Sequence, residues 1–470
     1  RGPDAAGDGA AGSRGAVLGP RVVVAGTRSG VGKTTVATGL MAALRRRGRR
    51  VGSAKVGPDF IDPGYHAVAT GRPGRNLDMW MSGIEAIGPL AGRAGAGTDI
   101  LVIEGVMGLF DGAADGSPSS SADVAKLLDT PVILVVDAAS MAQSVGAVVH
   151  GYRSWDPDVR VDAVILNLVA SDSHERMLRS ALEPTGIPVL GALRREDALT
   201  WRSRHLGLQP IAEDRAGVRA SLDRLAAVIE ARCDLERIER LAAGAPRTAV
   251  PAVVTPAPSG PARIAVATGP AFSFCYPDNL EALGAAGAEI VPFDPCADAA
   301  LPEAVGAVIA GGGFPEVFAE TLSANRPMLA SLRAHHGAGG VVWAECGGLL
   351  WLCRSLDDRP MAGLVDATAE LGTRCVVGYR AATTTTVSPL GPPGTELRGH
   401  EFHYSRCDPG GAALALTGRT GASSGGFADS RLLASYLHVH LASRPDLAET
   451  VVRAAASAAT AQPNQRRQLP

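Results

Sequence analysis

No excess of either charge marks this chain: 45 Lys and Arg face 47 Asp and Glu over 470 residues, a formal net charge of -2. That balance lacks the footprint of a nucleic-acid or polyanion binder and directs attention to small molecules. Cysteine is sparse and unpatterned, seven in all with no C-x-x-C pair. An odd, scattered set argues against a disulfide framework or a zinc ribbon and suits a reducing, cytoplasmic compartment. No stretch of about 18 apolar residues suggests a membrane span. Residues 1–20 are Gly, Ala, Asp and Arg with little else, do not read as a signal peptide, and are expected to form a disordered tail.

What is present is ample for burial, with 46% hydrophobic residues and a length that suggests two or three domains. The apolar run Val22-Val23-Val24-Ala25-Gly26 breaks into Thr27-Arg28-Ser29-Gly30-Val31-Gly32-Lys33-Thr34-Thr35 and then into a helical pattern from Val36 to Leu44. A strand, a Gly-rich turn and a helix beginning with Gly-Lys-Thr make a phosphate cradle. Backbone N–H groups near Gly30, Gly32 and Lys33 face the anion, the helix adds its positive end, and Lys33 adds a point charge. The first glycine of the strict spacing is displaced by one position, from 27 to 26.

Further along, the strand Val51–Lys55 enters Val56-Gly57-Pro58-Asp59-Phe60-Ile61-Asp62-Pro63-Gly64-Tyr65-His66, read as a fixed loop. Asp59, Asp62 and His66 would face the phosphates, where open α/β sheets bind ligands, or the aspartates bond their own turn. A buried strand ends at Glu104, followed by a loop to Asp111; an acid at that tip suits a magnesium ligand. Strand signatures recur at 131–137, 161–168 and 187–193, with helical patterns between, so the expected fold is α/β with a doubly wound, P-loop NTPase-like parallel sheet. Asn167 ends its strand on the ligand side, where its amide could read an adenine edge. Residues 217–241 read as one amphipathic helix closing a domain over 21–243, and the Ala, Pro and Gly of 244–261 read as a linker.

A second α/β domain is expected over 262–455, followed by a short tail over 456–470. Its strand Ala304–Ala310 runs into Gly311-Gly312-Gly313, whose amides could serve an oxyanion. In Val341-Val342-Trp343-Ala344-Glu345-Cys346-Gly347-Gly348, a strand meets a helix at one cysteine among small residues, the arrangement of a nucleophile on a sharp turn. A thiol needs a base. The candidates are His400, His403, His438 and His440, the last two in an H-x-H that alternation places on one face.

Taken together, these stretches resemble the cobyrinate or hydrogenobyrinate a,c-diamide synthases, which join a dethiobiotin-synthetase-like ATP domain to a class I glutamine amidotransferase domain. The resemblance runs from about Arg21 to Pro445. It is carried by the variant phosphate loop, Lys55 to His66, Glu104 to Gly112, Arg204-His205-Leu206-Gly207-Leu208, Ala271-Phe272-Ser273-Phe274 and Gly311 to Glu316. It implies a ligase of cobalamin biosynthesis that amidates the a and c carboxylates through an acyl phosphate, with ATP and Mg2+ as cofactors and a corrin ring and glutamine as partners. Nucleic acid and membrane are not expected as partners; a homodimer is left open. Carried over by position, Cys346 and His438 are catalytic, and Gly312 and Gly347 serve the oxyanion. Gly30, Gly32, Lys33, Thr34, Thr35, Lys55 and Asn167 bind nucleotide; Thr34, Asp59 and Glu104 hold the metal; and Asp62, His66, Asp78 and Asp111 place the substrate. His440 stands where many amidotransferases carry Glu, so a dyad is the implied arrangement. A nickel-sirohydrochlorin a,c-diamide synthase shares the plan. A partition-type ATPase switch shares the loop but has no need of Cys346.

Overall fold

The computed structural model describes residues 15–113, 116–195 and 215–466. The Arg204–Leu208 stretch lies outside them.

Val22 and Val24 pack on one face of their strand and Val23 and Ala25 on the other. Both faces must therefore be covered, and a parallel sheet with helices on each side is the architecture that does so. Seven parallel strands follow in the spatial order Arg75–Leu77, Val51–Val56, Ile100–Glu104, Arg21–Gly26, Val132–Asp137, Val161–Val169, Val189–Arg194. Their carboxyl ends collect Gly26, Val56, Glu104 and Asn167 at one edge. The expected final helix over 217–241 is two, Arg215–Arg232 and Leu235–Ala243. Asp234 breaks the run because its side chain accepts from Arg237 N–H at 3.0 Å and caps a new helix.

The tail and linker are more structured than composition suggests. Ala16–Leu18 pairs antiparallel with Thr248–Val250, so part of residues 1–20 and part of 244–261 form a two-stranded ribbon. The buried Arg21 guanidinium ties this ribbon down, donating to the carbonyls of Leu128 at 2.6 Å and Pro246 at 2.7 Å. The closing helix spans Pro445–Arg466, well past residue 455, because Leu447, Ala448, Val451, Val452 and Ala455 pack on the second sheet.

The second domain holds two sheets. In the first, strands Ala288–Phe293, Ala262–Ala267, Ala307–Ala310, Val341–Glu345 and Leu432–Ser435 run parallel. In the second, the long strands Thr368–Thr384 and Glu396–Asp408 pair antiparallel, and His438–Val439 adds to the latter. Residues Tyr436 and Leu437 carry the chain from one sheet to the other, which delivers His438 to the end of the Cys346 strand. Among the described residues, no helix is long and apolar enough to cross a membrane.

Candidate active sites and the interface between them

The phosphate loop closes over its own lysine. A Cβ at Gly26 would lie 2.5 Å from Val31 Cγ2 and 2.8 Å from Lys33 Cγ, so the displaced glycine is where the loop folds back on the strand. Gly30 and Gly32 both have positive φ, 78° and 92°, which turns the chain into the helix Lys33–Arg46. Lys33 Nζ donates to Arg28 O at 3.2 Å. Burial, reinforced by the Lys55 charge, brings its pKa down to about 8, with Glu104, Asp62 and Asp111 opposing. Asn167 Nδ2 donates to Val31 O at 2.9 Å and braces the loop.

Beside Lys33 lies a dense buried cluster. Lys55 Nζ sits 2.6 Å from Asp62 and 2.7 Å from Glu104; His66 Nε2 is 2.7 Å from the other Glu104 oxygen. Thr34 Oγ1 donates to Glu104 at 2.6 Å and approaches Asp62 at 3.3 Å. Burial disfavours the Glu104 charge, but Lys55 and His66 outweigh it and hold the carboxyl below its usual range. Asp62 moves the opposite way, pushed well up by burial and by Glu104, because one ammonium is shared by two acids. Asp62 and His66 reach this cluster from a helix, Ile61–Thr70, rather than from a loop. Asp59 starts that helix: its Oδ1 accepts from Ile61 and Asp62 N–H at 2.7 and 3.1 Å. Asn76, not foreseen from sequence, pins the loop by donating to Gly57 and Asp59 carbonyls at 2.8 and 2.7 Å.

Two of the expected substrate residues are placed differently. Asp111 accepts from Gly108 N–H at 2.9 Å, ordering the loop beside Lys33. Asp78 is buried away from the cluster, with one oxygen capping Met81 N–H at 2.8 Å and the other accepting from Tyr379 OH at 2.7 Å. Each of its oxygens holds one of these partners, so Asp78 ties the first domain to Tyr379 of the second.

Glu104→Gln is expected to lower stability by about 3–5 kcal/mol, because Lys55 keeps a buried charge with only Asp62 to balance it. Denaturant unfolding of both proteins checks this. The depressed Glu104 pKa stabilises the fold above the ordinary carboxylate range, a contribution lost on acidification that the Gln variant lacks.

In the second domain, Cys346 has φ 48° and ψ -100°, a strained turn between the strand Val341–Glu345 and the helix Gly347–Leu352. The side chain is buried, with Sγ 3.8 Å from Phe402 O. His438 Nδ1 faces Glu345 Oε2 at 3.6 Å, an ion-pair contact longer than a hydrogen bond. Glu345 Oε1 in turn accepts from Val439 N–H at 3.0 Å. Burial works against a charged His438, yet the hydrogen bond and charge of Cys346, together with Glu345, raise its pKa to about 10. Glu345 completes a triad from the residue preceding the nucleophile, a position that sequence comparison with other triads does not point to.

His438 and His440 do not share a setting, because the short strand His438–Val439 ends between them and His440 lies beyond it. His440 Nδ1 lies 3.3 Å from Ser82 Oγ in the first domain, and Asn279 clamps the segment by bonding Val439 O and Leu441 N–H at 2.8 and 2.7 Å. His400 stacks on His438 with ring centroids 4.9 Å apart; burial and the His438 charge keep it neutral. His403 is structural, stacked on Tyr436 and pushed down to about 4 chiefly by burial.

The oxyanion donors also shift by one residue. Gly312 N–H donates to Phe274 O at 3.0 Å and is already engaged. Its own contribution is space, since a Cβ there would lie 2.5 Å from His438 Cε1. The amides of Gly313 and Gly347 have no acceptor among the described residues, and they adjoin: a Cβ at Gly347 would be 3.1 Å from Gly313 N.

A raised His438 pKa stabilises the fold fully below about pH 6.5, and that stability is lost as pH rises through about 10. Urea midpoints followed across this window should therefore fall more steeply for the native chain than for His438→Asn.

The two centres meet across a polar and aromatic interface. Arg75 pairs with Asp278 at 2.8 Å and Glu281 at 2.7 Å, Arg93 joins Asp278 at 2.9 Å, and Trp80 stacks on Tyr379. Phe60 crosses furthest, its ring 4.9 Å from that of His438.

Comparison with known proteins agrees with this two-part plan. Residues 22–208 match the CobQ/CobB/MinD/ParA nucleotide binding domain, and residues 263–446 match the CobB/CobQ-like glutamine amidotransferase domain. The chain is 47% identical to the hydrogenobyrinate a,c-diamide synthase of Streptomyces coelicolor, covering 92% of this chain and 97% of that one. It is 42% identical to the hydrogenobyrinate a,c-diamide synthase of Thermobifida fusca, over 94% and 98% of the two chains. It is also 42% identical to the cobyrinate a,c-diamide synthase of Syntrophotalea carbinolica, over 92% and 98%. With both domains and nearly the full length matched, the chain belongs to the family of cobyrinate and hydrogenobyrinate a,c-diamide synthases.

Proposed function

We propose that this enzyme amidates the a and c side-chain carboxylates of cobyrinate or hydrogenobyrinate, using glutamine and ATP, in cobalamin biosynthesis. The observation that carries the reading is the joining, through one interface, of a phosphate loop and a buried Cys346–His438 pair.

At the second site, the Cys346 thiolate attacks the side-chain amide carbon of glutamine. The amides of Gly313 and Gly347 receive the developing oxyanion, where preorganised donors are worth most. His438 gives its proton to the departing ammonia, and Glu345 keeps the imidazole oriented. Water then cleaves the thioester to glutamate and restores the thiol.

The first site handles the acceptor, because a carboxylate does not react with ammonia unaided. Its oxygen takes the terminal phosphoryl group of ATP, releasing ADP; ammonia attacks the acyl carbon, and phosphate leaves with formation of the amide. Lys33 and the loop amides bind phosphate oxygens, and Lys55 steadies the charge that gathers beside them. Thr34, Asp62 and Glu104 are hard oxygen donors, both carboxylates lying within 3.3 Å of the Thr34 hydroxyl, a set that fits Mg2+. Among the described residues no three acidic, His or Cys side chains form a ready cage, so phosphate oxygens and water would complete the shell. Magnesium there neutralises phosphate charge.

Incubation of the protein with ATP, magnesium, glutamine and either cobyrinate or hydrogenobyrinate tests the reading by product mass. Two successive amide additions to one acid are expected. No mass change with either acid overturns it.

A further inference from the structure

Phe60 belongs to the first domain by sequence and to the second site by contact. Its ring stacks on Phe274 at 5.3 Å with an interplanar angle of 8°, lies 4.3 Å from Tyr276, and tilts over the His438 imidazole at 4.9 Å. Phe274 is the residue whose backbone pairs reciprocally with Gly312, N to O at 3.0 Å both ways. One side chain therefore touches the base and the segment that sets the oxyanion loop.

The backbone of Phe60 answers to the other site. Asp59 on one side caps the helix Ile61–Thr70, and Asp62 in its first turn pairs with Lys55 and approaches Thr34. Phosphates and a cation arriving at Lys33 and Thr34 must redistribute the charge that Lys55 shares between Asp62 and Glu104. Any adjustment of Asp62 moves the start of that helix, and Phe60 is its cap residue. The lever is short, with Ile61 alone between the shared carboxylate's residue and the one that carries the aromatic ring.

We infer that Phe60 is a positioning residue through which the phosphate site controls glutamine hydrolysis, its ring restraining His438 and the Phe274–Gly312 segment until acceptor chemistry is under way. The inference rests on the functional reading above. Its consequence is economy of ammonia: without the ring, glutamine is hydrolysed whether or not an acyl phosphate awaits.

The test compares native protein with Phe60→Ala and Phe60→Tyr, measuring glutamate released and amide formed in the same reaction. Phe60→Ala should raise the glutamate-to-amide ratio by about fivefold or more, the lower end of ordinary site-to-site coupling. Glutamate release should also cease to respond to ATP and acceptor, while amidation driven by ammonium salt stays near the native rate. Phe60→Tyr, which keeps the ring, should retain the native ratio. A folded Phe60→Ala protein with the native ratio overturns the inference, as does a parallel fall in glutamine- and ammonium-driven amidation at constant ratio. If the Ala variant does not fold, Phe60→Leu, which keeps bulk without the flat stack, carries the same comparison. Native protein that releases no glutamate, or Cys346→Ala protein that still does, removes the underlying functional reading instead.

Discussion

Cys346→Ala protein is expected to lose glutamine-dependent amidation by about 10³-fold or more while still amidating its corrin acid when supplied with ammonium salt. The sulfur is the only atom removed, and it forms the bond that frees ammonia. The expected loss is large because the environment is built around the sulfur: a histidine whose pKa is raised to about 10, two unengaged amides, and a strained backbone that aims the side chain. None of these activates an alanine. The ammonium arm separates chemistry from folding, since acyl-phosphate formation uses Lys33 and its neighbours in the other domain. Retained glutamine use would show that the sulfur at this turn is not the nucleophile.

Lys33→Ala should instead abolish amidation from glutamine and ammonium alike, by about 10²–10³-fold, the usual cost of removing one preorganised charge from a transferring phosphoryl group. Lys33 is available for that work: its ammonium donates to the Arg28 carbonyl at 3.2 Å, makes no salt bridge among the described residues, and has a pKa lowered to about 8 by burial and the Lys55 charge. Phosphate would supply a counter-charge and raise the pKa again. An unchanged unfolding midpoint would place the loss in catalysis, and normal ammonium-driven amidation would place the phosphates elsewhere. The contrast with Cys346→Ala is diagnostic, because one variant loses a nitrogen source and the other loses the activated acceptor.

The Glu104 and His438 predictions differ in kind, since they concern what ionised groups do for the fold. Glu104 balances two neighbours in a buried cluster, and His438 holds a charge that burial alone would remove. Both centres thus keep charge inside the protein by pairing it, and the pairing also sets the protonation states that the chemistry uses.

Local features were legible from sequence wherever function depends on contiguous chain. The phosphate loop, the buried strand ending at Glu104, the Cys346 turn and the two-domain plan each lie within a dozen residues or follow from a repeated strand and helix rhythm. Even the displaced glycine at position 26 carried meaning, because the loop packs Val31 and Lys33 against that site. Residue types could also propose partners for Cys346, but not choose among four histidines.

What the sequence could not decide is which groups meet across distance. His438 and His440 would share a face in a continuous strand, but the strand ends at Val439, and the folded chain sets His438 against Glu345 and His440 against Ser82. Asn167 and Asp78 are chemically able to bind a ligand, yet tertiary packing engages them in bracing the loop and the interface. Gly313 displaces Gly312 as an available oxyanion donor because Phe274, 38 positions earlier, has already taken the Gly312 amide. Glu345 becomes a triad member through the approach of a strand some ninety residues later. Composition, periodicity and short motifs are properties of neighbours along the chain, and they determined the two domains and the chemistry each can perform. Distances between domains are not, so only the folded chain decided that the ring of Phe60, a residue of the phosphate domain, lies against the base of the other.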